Sequence, residues 1–319
     1  MLLNAAAASV CDRLLEHAER LRIGVSTAPC GSRLLDCGLH AAGGFEAGLA
    51  MAEVCLAGLG RASLEPASSE LGGGLAVLVW SDHPIAACMA SQYAGWKVGG
   101  GDYFAMGSGP MRAAAGKEAL FDRIGCRERP QSAVGVLETG QPPPDNVCVD
   151  LARQCGVEPE QLTLLFARTA SQAGTLQIVA RSLETALHKL LELGFDHNRV
   201  VSGWGLAPLP PVAASDLVAI GRTNDAILYG GEVTLYVRGD DASIESLGPR
   251  VPSGASPDFG QPFAAIFERY HRDFYRIDPH LFSPAMITFV NLDTGRALRF
   301  GHLVPRVIHE SFDIRQAGP

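Results

Sequence analysis

Apolar residues recur along this chain mostly at helical spacing, interrupted by short runs that suit strands. The sharpest case covers 176–193. At about 100° per residue, Leu176, Val179, Ala180, Leu183, Leu187, Leu190 and Leu191 share one face. Gln177, Arg181, Glu184 and His188 border that stripe instead of opposing it, as a polar row overlooking a crevice or an interface would. The spacing also predicts helices over 4–22, 43–59, 111–123, 146–155 and 262–274, the last carrying Phe263, Phe267, Tyr270 and Phe274. Strands fit 75–80, 132–138 and 162–168, and 86–92 is a further short apolar segment. Two hairpins are signalled, one around Gly230-Gly231 joining 226–229 to 232–238 and one around Asp293-Thr294-Gly295 joining 286–291 to 296–300. Residues 99–110 hold too much glycine for regular structure throughout, and 204–211 reads as a proline-rich connection.

Strands that fall both between helices and in hairpins predict an α/β fold, of the α+β kind with mixed or mainly antiparallel sheets. The clearest break is Gly140-Gln141-Pro142-Pro143-Pro144. Dividing there gives two α/β domains, 1–140 and 145–319, and 319 residues suffice for two.

Composition narrows the function classes. The chain is 47% hydrophobic and 19% charged, as in globular proteins. A formal net charge of -8 argues against nucleic-acid binding through a broad basic surface. None of the eight cysteines forms a C-x-x-C pair, and several sit in apolar runs such as Val54-Cys55-Leu56. They read as small buried hydrophobes in a reducing compartment. The first residues lack the basic region of a signal peptide, and no uncharged stretch reaches the length of a membrane span. A soluble cytoplasmic protein is expected.

Three clusters carry candidate chemistry. Arg181 and Glu184, three apart, are neighbours on a helix surface. They form either an ordinary surface ion pair or a catalytic pair, in which the guanidinium orients the carboxylate and favours its ionised form. Such a carboxylate suits an electrophile that is already cationic and needs a positioned water more than a strong base. His188, one turn on, is a proton relay or a structural histidine. The second cluster is Gly107-Ser108-Gly109 with Arg112, where a glycine-rich segment runs into a helix start that favours anions; the alternative is a tight packing turn. The third is Arg222-Thr223-Asn224-Asp225, which either orients the heteroatoms of a flat ligand or forms a cap-and-turn cluster. No histidine spacing fits a metal, and no G-x-S-x-G elbow is present.

In order along the chain stand Val54-Cys55-Leu56-Ala57-Gly58-Leu59-Gly60, Ala90-Ser91-Gln92-Tyr93-Ala94-Gly95-Trp96 and Phe104-Ala105-Met106-Gly107-Ser108-Gly109-Pro110. Next come Ala180-Arg181, Glu184-Thr185-Ala186-Leu187-His188-Lys189 and the segment 221–231. Asp273-Phe274-Tyr275-Arg276-Ile277-Asp278-Pro279 and Leu281-Phe282-Ser283-Pro284-Ala285 complete the set. Together they resemble the methenyltetrahydromethanopterin cyclohydrolase family across nearly the whole chain. The chain departs from the family pattern around Gly43-Gly44-Phe45-Glu46 and Gly99-Gly100-Gly101, which bears on the substrate's tail more than on the reaction.

The resemblance implies a two-domain α/β subunit with a pocket between the domains, assembled as a homotrimer. It implies reversible hydrolysis of 5,10-methenyltetrahydromethanopterin to the 5-formyl compound, with no metal or redox cofactor. It maps the family's arginine–glutamate pair onto Arg181 and Glu184, the glutamate placing or deprotonating the attacking water. Gln177, His188, Gly107, Ser108, Gly109, Arg112 and the 222–225 tetrad are then expected to bind the pterin or its anionic tail. A non-catalytic pterin-binding homologue and a trimeric interaction protein are the alternative readings.

Overall fold

The chain is described by a computed structural model over residues 2–314. Its strands are β1 (Gly24–Thr27), β2 (Arg33–Gly38), β3 (Gly60–Pro66), β4 (Leu75–Ser81), β5 (Trp96–Gly100), β6 (Tyr103–Ser108), β7 (Ala133–Glu138), β8 (Leu162–Ala167), β9 (Val200–Pro208), β10 (Glu232–Val237), β11 (Met286–Asn291) and β12 (Ala297–Gly301). They form two six-stranded sheets, ordered β1-β2-β8-β7-β6-β5 and β12-β11-β10-β9-β4-β3. Both are mixed. β2, β8 and β7 run parallel in the first, flanked by antiparallel β1 and β6. In the second, β10 is parallel to β11 and antiparallel to β9. The α/β expectation therefore holds. The chain divides into two compact units, Met1–Ala62 with Ser81–Ile178, and Ser63–Trp80 with Val179–Pro319. The Gly140-to-Pro144 break joins β7 to the Asp145–Cys155 helix inside the first unit.

The central strands of the first sheet are apolar on both faces because helices cover both. Leu165 and Ala167 of β8, with Val134 and Val136 of β7, pack among residues of the Leu3–Glu16 and Phe45–Cys55 helices. The alternate residues, Leu162, Leu164, Phe166, Ala133 and Leu137, pack with Met111, Leu151 and Cys155 on the other side. That strict alternation follows from the strand's two-residue period and explains why these segments read as continuous hydrophobic runs.

In the second unit the Ser182–Glu192 helix packs on β9 and β10. Two glycines in β9 set how close it comes. A side-chain carbon at Gly203 would stand 2.9 Å from Leu183 Cδ1, and one at Gly205 would stand 2.5 Å from Ser182 Oγ and 2.9 Å from the Leu183 nitrogen. Only glycine lets strand backbone and helix start meet this closely.

Several sequence expectations are corrected. The 176–193 helix is two helices, Gln172–Val179 and Ser182–Glu192, parted at Ala180-Arg181. The 111–123 helix breaks at Gly116, whose φ of 56° is left-handed. Residues 99–110 form most of the β5–β6 hairpin, turning at Gly101-Asp102. Residues 204–208 belong to β9, and Ile85–Gln92 is a π-helix. The Asp293-Thr294-Gly295 hairpin is present as β11–β12. The Gly230-Gly231 hairpin is not. Residues Asp216–Gly230 are one helix, capped by the Ser215 hydroxyl accepting from the Val218 amide at 3.4 Å. Ser215-Asp216 was the start signal available in the sequence. Gly231 is the hinge from that helix into β10.

This reassignment places Asp225 inside the second unit. Its Oδ1 accepts from the Phe263 amide at 2.7 Å, at the start of the Phe263–Arg269 helix. Its Oδ2 makes no well-formed hydrogen bond, although the Ser311 hydroxyl lies near enough to favour the ionised form. Burial dominates and lifts the carboxyl to about 7. Since the folded chain holds this proton more tightly than the unfolded one, its contribution to stability is full below about pH 4 and is lost as pH rises through 7.

Two outcomes follow from these contacts. Gly205→Ala lowers stability by about 1–3 kcal/mol, measured by chemical denaturation, because the added carbon displaces the first turn of the Ser182–Glu192 helix. Asp225→Asn cannot ionise and keeps an acceptor for Phe263. It should unfold at higher denaturant than the parent at pH 8, by roughly 1–4 kcal/mol, with the gap narrowing as pH falls through 7 and closing only below about pH 4.

Candidate functional site

The Ser182–Glu192 helix begins at Arg181, whose φ of -90° and ψ of 6° lie outside the helical range. The Arg181 carbonyl accepts the first helical bond from the Thr185 amide at 2.9 Å and a second from the Thr185 hydroxyl at 2.6 Å. The break thus sets Arg181 at the cap and Glu184 in the first turn. There the helix's unsatisfied amides favour a carboxylate. Arg181 is 8% exposed and Glu184 6%. Surface ion pairs contribute about 0–1 kcal/mol. That bland alternative does not describe side chains enclosed to this degree. Buried charged groups are costly unless other groups meet their charge. His188 is half-buried one turn further along the same helix.

Lys189 is a neighbour that the sequence reading passed over. It is buried among Leu187, Leu190 and Leu191, and its Nζ donates to the His280 carbonyl at 2.5 Å. Burial pulls its ammonium down to about 8, against the partial support of Asp278. Asp278 accepts from the Ser256 hydroxyl at 2.6 Å and from the His280 amide at 3.1 Å. Its own amide donates to Asp258, which also accepts from Tyr270. The helix carrying Glu184 is thereby tied to the 256–282 segment. A lysine within a leucine stripe was the visible sign.

In the first unit, Gln177 and Ser108 are brought together through a cysteine. The Cys55 thiol lies 3.5 Å from Ser108 Oγ and donates to Gln177 Oε1 at 3.9 Å. Ser108 also donates to the Val136 carbonyl at 3.3 Å, and both Ser108 and Gln177 are about 1% exposed. Gly109, at a φ of 87°, donates its amide to the Ser91 carbonyl at 2.9 Å. A side chain at Gly107 would run into Val98 and Met111. These glycines serve a tight packing turn leading into a helix of only five residues, Met111–Ala115.

Arg112 is likewise part of the packing. Its guanidinium is enclosed, paired through Nε and Nη2 with Glu118, bonded to the Met89 carbonyl at 3.2 Å, and stacked 4.7 Å from the Tyr93 ring centre. Its charge is met within the protein by Glu118 and the Met89 carbonyl.

The 222–225 tetrad lies on a helix, not in a turn before a strand, and its polar groups bond protein. Arg222 donates to the carbonyls of Ser311 at 3.1 Å and Pro211 at 3.2 Å. Thr223 and Asn224 bond back to Ala219 and Ile220 in their own helix. Asp225 caps the Phe263 helix as described above. Of these four residues, Arg222 and Asp225 tie the helix to other segments, and Thr223 and Asn224 bond within it.

The comparisons with known proteins agree along the whole chain. The sequence pattern of the family described as Cyclohydrolase (MCH) matches residues 2–312. A methenyltetrahydromethanopterin cyclohydrolase of Xanthobacter autotrophicus is 45% identical over 305 residues, covering 96% of this chain and 90% of the relative. That of Methylobacterium sp. strain 4-46 is 45% identical, covering 97% of each chain. The enzyme of the same name in Methanosarcina barkeri is 40% identical, covering 98% of each. With the pattern matched nearly end to end and relatives this similar over their full length, the chain belongs to the methenyltetrahydromethanopterin cyclohydrolase family.

Proposed function

We propose that this protein reversibly hydrolyses 5,10-methenyltetrahydromethanopterin to 5-formyltetrahydromethanopterin. The observation that carries the reading is the enclosure of Arg181 and Glu184 at the start of one helix, in a chain that matches the family along its length. The substrate is a delocalised amidinium cation, so its bridging carbon is electrophilic before the protein acts. Glu184 faces that cation, holds a water and aims it at the carbon. The water oxygen bonds to the bridge as Glu184 takes a proton. The new hydroxyl then gives up its proton and becomes the formyl carbonyl as the bond from the bridge to N10 breaks; N10 takes one proton to become an amine, and the formyl group stays on N5. One proton is released per turnover.

Arg181 balances the carboxylate in this reading, and without Glu184 the guanidinium would repel the cationic substrate. As the charge of the pterin bridge is lost on hydration, Arg181 favours departure of the proton that Glu184 has taken. His188 and Gln177 belong to the binding surface in this reading. Arg112, Thr223, Asn224 and Asp225 are left to the fold in this reading, which their bonds to protein groups support. A homotrimer in the cytoplasm, working without metal or redox cofactor, is part of the same proposal.

The near-ultraviolet absorbance of the methenyl compound reports the reaction directly. Adding the protein should bleach it. Glu184→Gln should slow bleaching by about 10²-fold or more while leaving substrate binding measurable by titration. Binding without bleaching by the unsubstituted protein would overturn the proposal.

A further inference from the structure

All eight cysteines are free thiols, and two that are distant in sequence meet within the first unit. Cys30 is half-buried in the turn between β1 and β2. Cys148 is buried near the start of the Asp145–Cys155 helix. The Cys30 amide donates to Asp145 Oδ1 at 2.7 Å, and Asp145 and Cys148, three apart, share one face of that helix. The Cys30 side chain packs against the apolar cluster that contains Cys148. The two thiols are close enough to influence each other by charge and by hydrogen bonding.

The Cys30 turn is also anchored. Its thiol lies 3.4 Å from the Ser32 hydroxyl, which donates to the Pro159 carbonyl at 2.8 Å.

We infer that Cys30 and Cys148 are an oxidation site, converted to a reversible disulfide by low-molecular-weight disulfides. Cys30, the accessible member, attacks first. Its sulfur bonds to one sulfur of the reagent, the reagent's S–S bond breaks, and one reagent thiol leaves with the proton that Cys30 gives up. Cys148 then attacks the Cys30 sulfur. The mixed disulfide breaks, a second reagent thiol leaves with the proton of Cys148, and the protein has lost two hydrogens. The reagent is reduced as the cysteine pair is oxidised.

The asymmetry of the pair shapes the kinetics. Burial, the largest cause, pushes the Cys148 thiol up to about 12 and persists once Cys30 is in the adduct, so the second step is the slow one. The contrasting pair is Cys11 and Cys37. Cys11 also raises the Cys37 thiol, but both are buried and neither offers a reagent the entry that Cys30 does.

The test uses the folded full chain with oxidised glutathione, followed by acid quenching, alkylation and mass mapping of unreduced peptides. The expected course is a transient glutathione adduct on Cys30, then a Cys30–Cys148 cross-link that dithiothreitol reverses. Resolution should speed up about tenfold per pH unit between roughly pH 7 and 9, because the attacking thiolate is scarce throughout. Cys148→Ala should trap the adduct on Cys30. Cys30→Ser, at a half-buried position that tolerates the change, should show neither adduct nor cross-link. An adduct on Cys30 that never resolves in the unsubstituted protein, or a cross-link of Cys30 to another cysteine in comparable yield, would overturn the inference.

Discussion

Keeping a guanidinium and a carboxylate out of water at the start of one helix is the constraint on which much of the second unit depends. Two charged groups so enclosed would be expelled from an ordinary core. Here the helix start supplies partial positive charge beside Glu184, and the chain breaks at Arg181 to place it at the cap. Gly203 and Gly205 bring β9 against the first turn. Lys189, five residues after Glu184, fastens the same helix to the 256–282 segment. Each of these features limits how far the helix can shift or turn.

A second buried polar system lies elsewhere in the same unit and has a different character. Asp225 holds the Phe263–Arg269 helix by its backbone, and Phe263 of that helix stacks with Phe267 and with Phe274 beyond its end. Near neutral pH the carboxyl is divided between its two protonation states. Lys189 is similarly tuned by burial, to about 8. Perturbed groups of this kind often mark active sites, but structural networks perturb them too. At Asp225 burial raises the carboxyl against the Ser311 hydroxyl and the Phe263 amide, so the shift there reflects architecture.

Much of the architecture was legible because it rests on periodicity. β7 and β8 read as apolar runs since helices cover both their faces, and the β11–β12 hairpin announced itself through Asp293-Thr294-Gly295. What misled was chemistry that serves two purposes. Gly221, the polar tetrad and Gly230-Gly231 look like a turn, yet Gly221 and the tetrad lie within a helix and the glycine pair marks where it passes into β10. Gly203 and Gly205 weakened the strand signal of β9 because their purpose is contact with a helix, which local sequence does not reveal. The site divides along the same line. The row of Arg181, Glu184 and His188 was visible from spacing. The true partner of Arg112, Glu118, was not, since a cation near a glycine-rich segment reads equally well as a ligand contact.

The second sheet is assembled from pieces made at very different times. β3 and β4 leave the ribosome early, but β9, the neighbour of β4, comes only after the whole remainder of the first unit has been made. Until then Val77 and Val79, which end fully buried, sit on a strand with one open hydrogen-bonding edge. A nascent or truncated chain halted before β9 therefore presents a sticky edge that the finished protein conceals. Maturation of this unit is bound to completion of synthesis, whereas the strands of the first sheet have all emerged by residue 167.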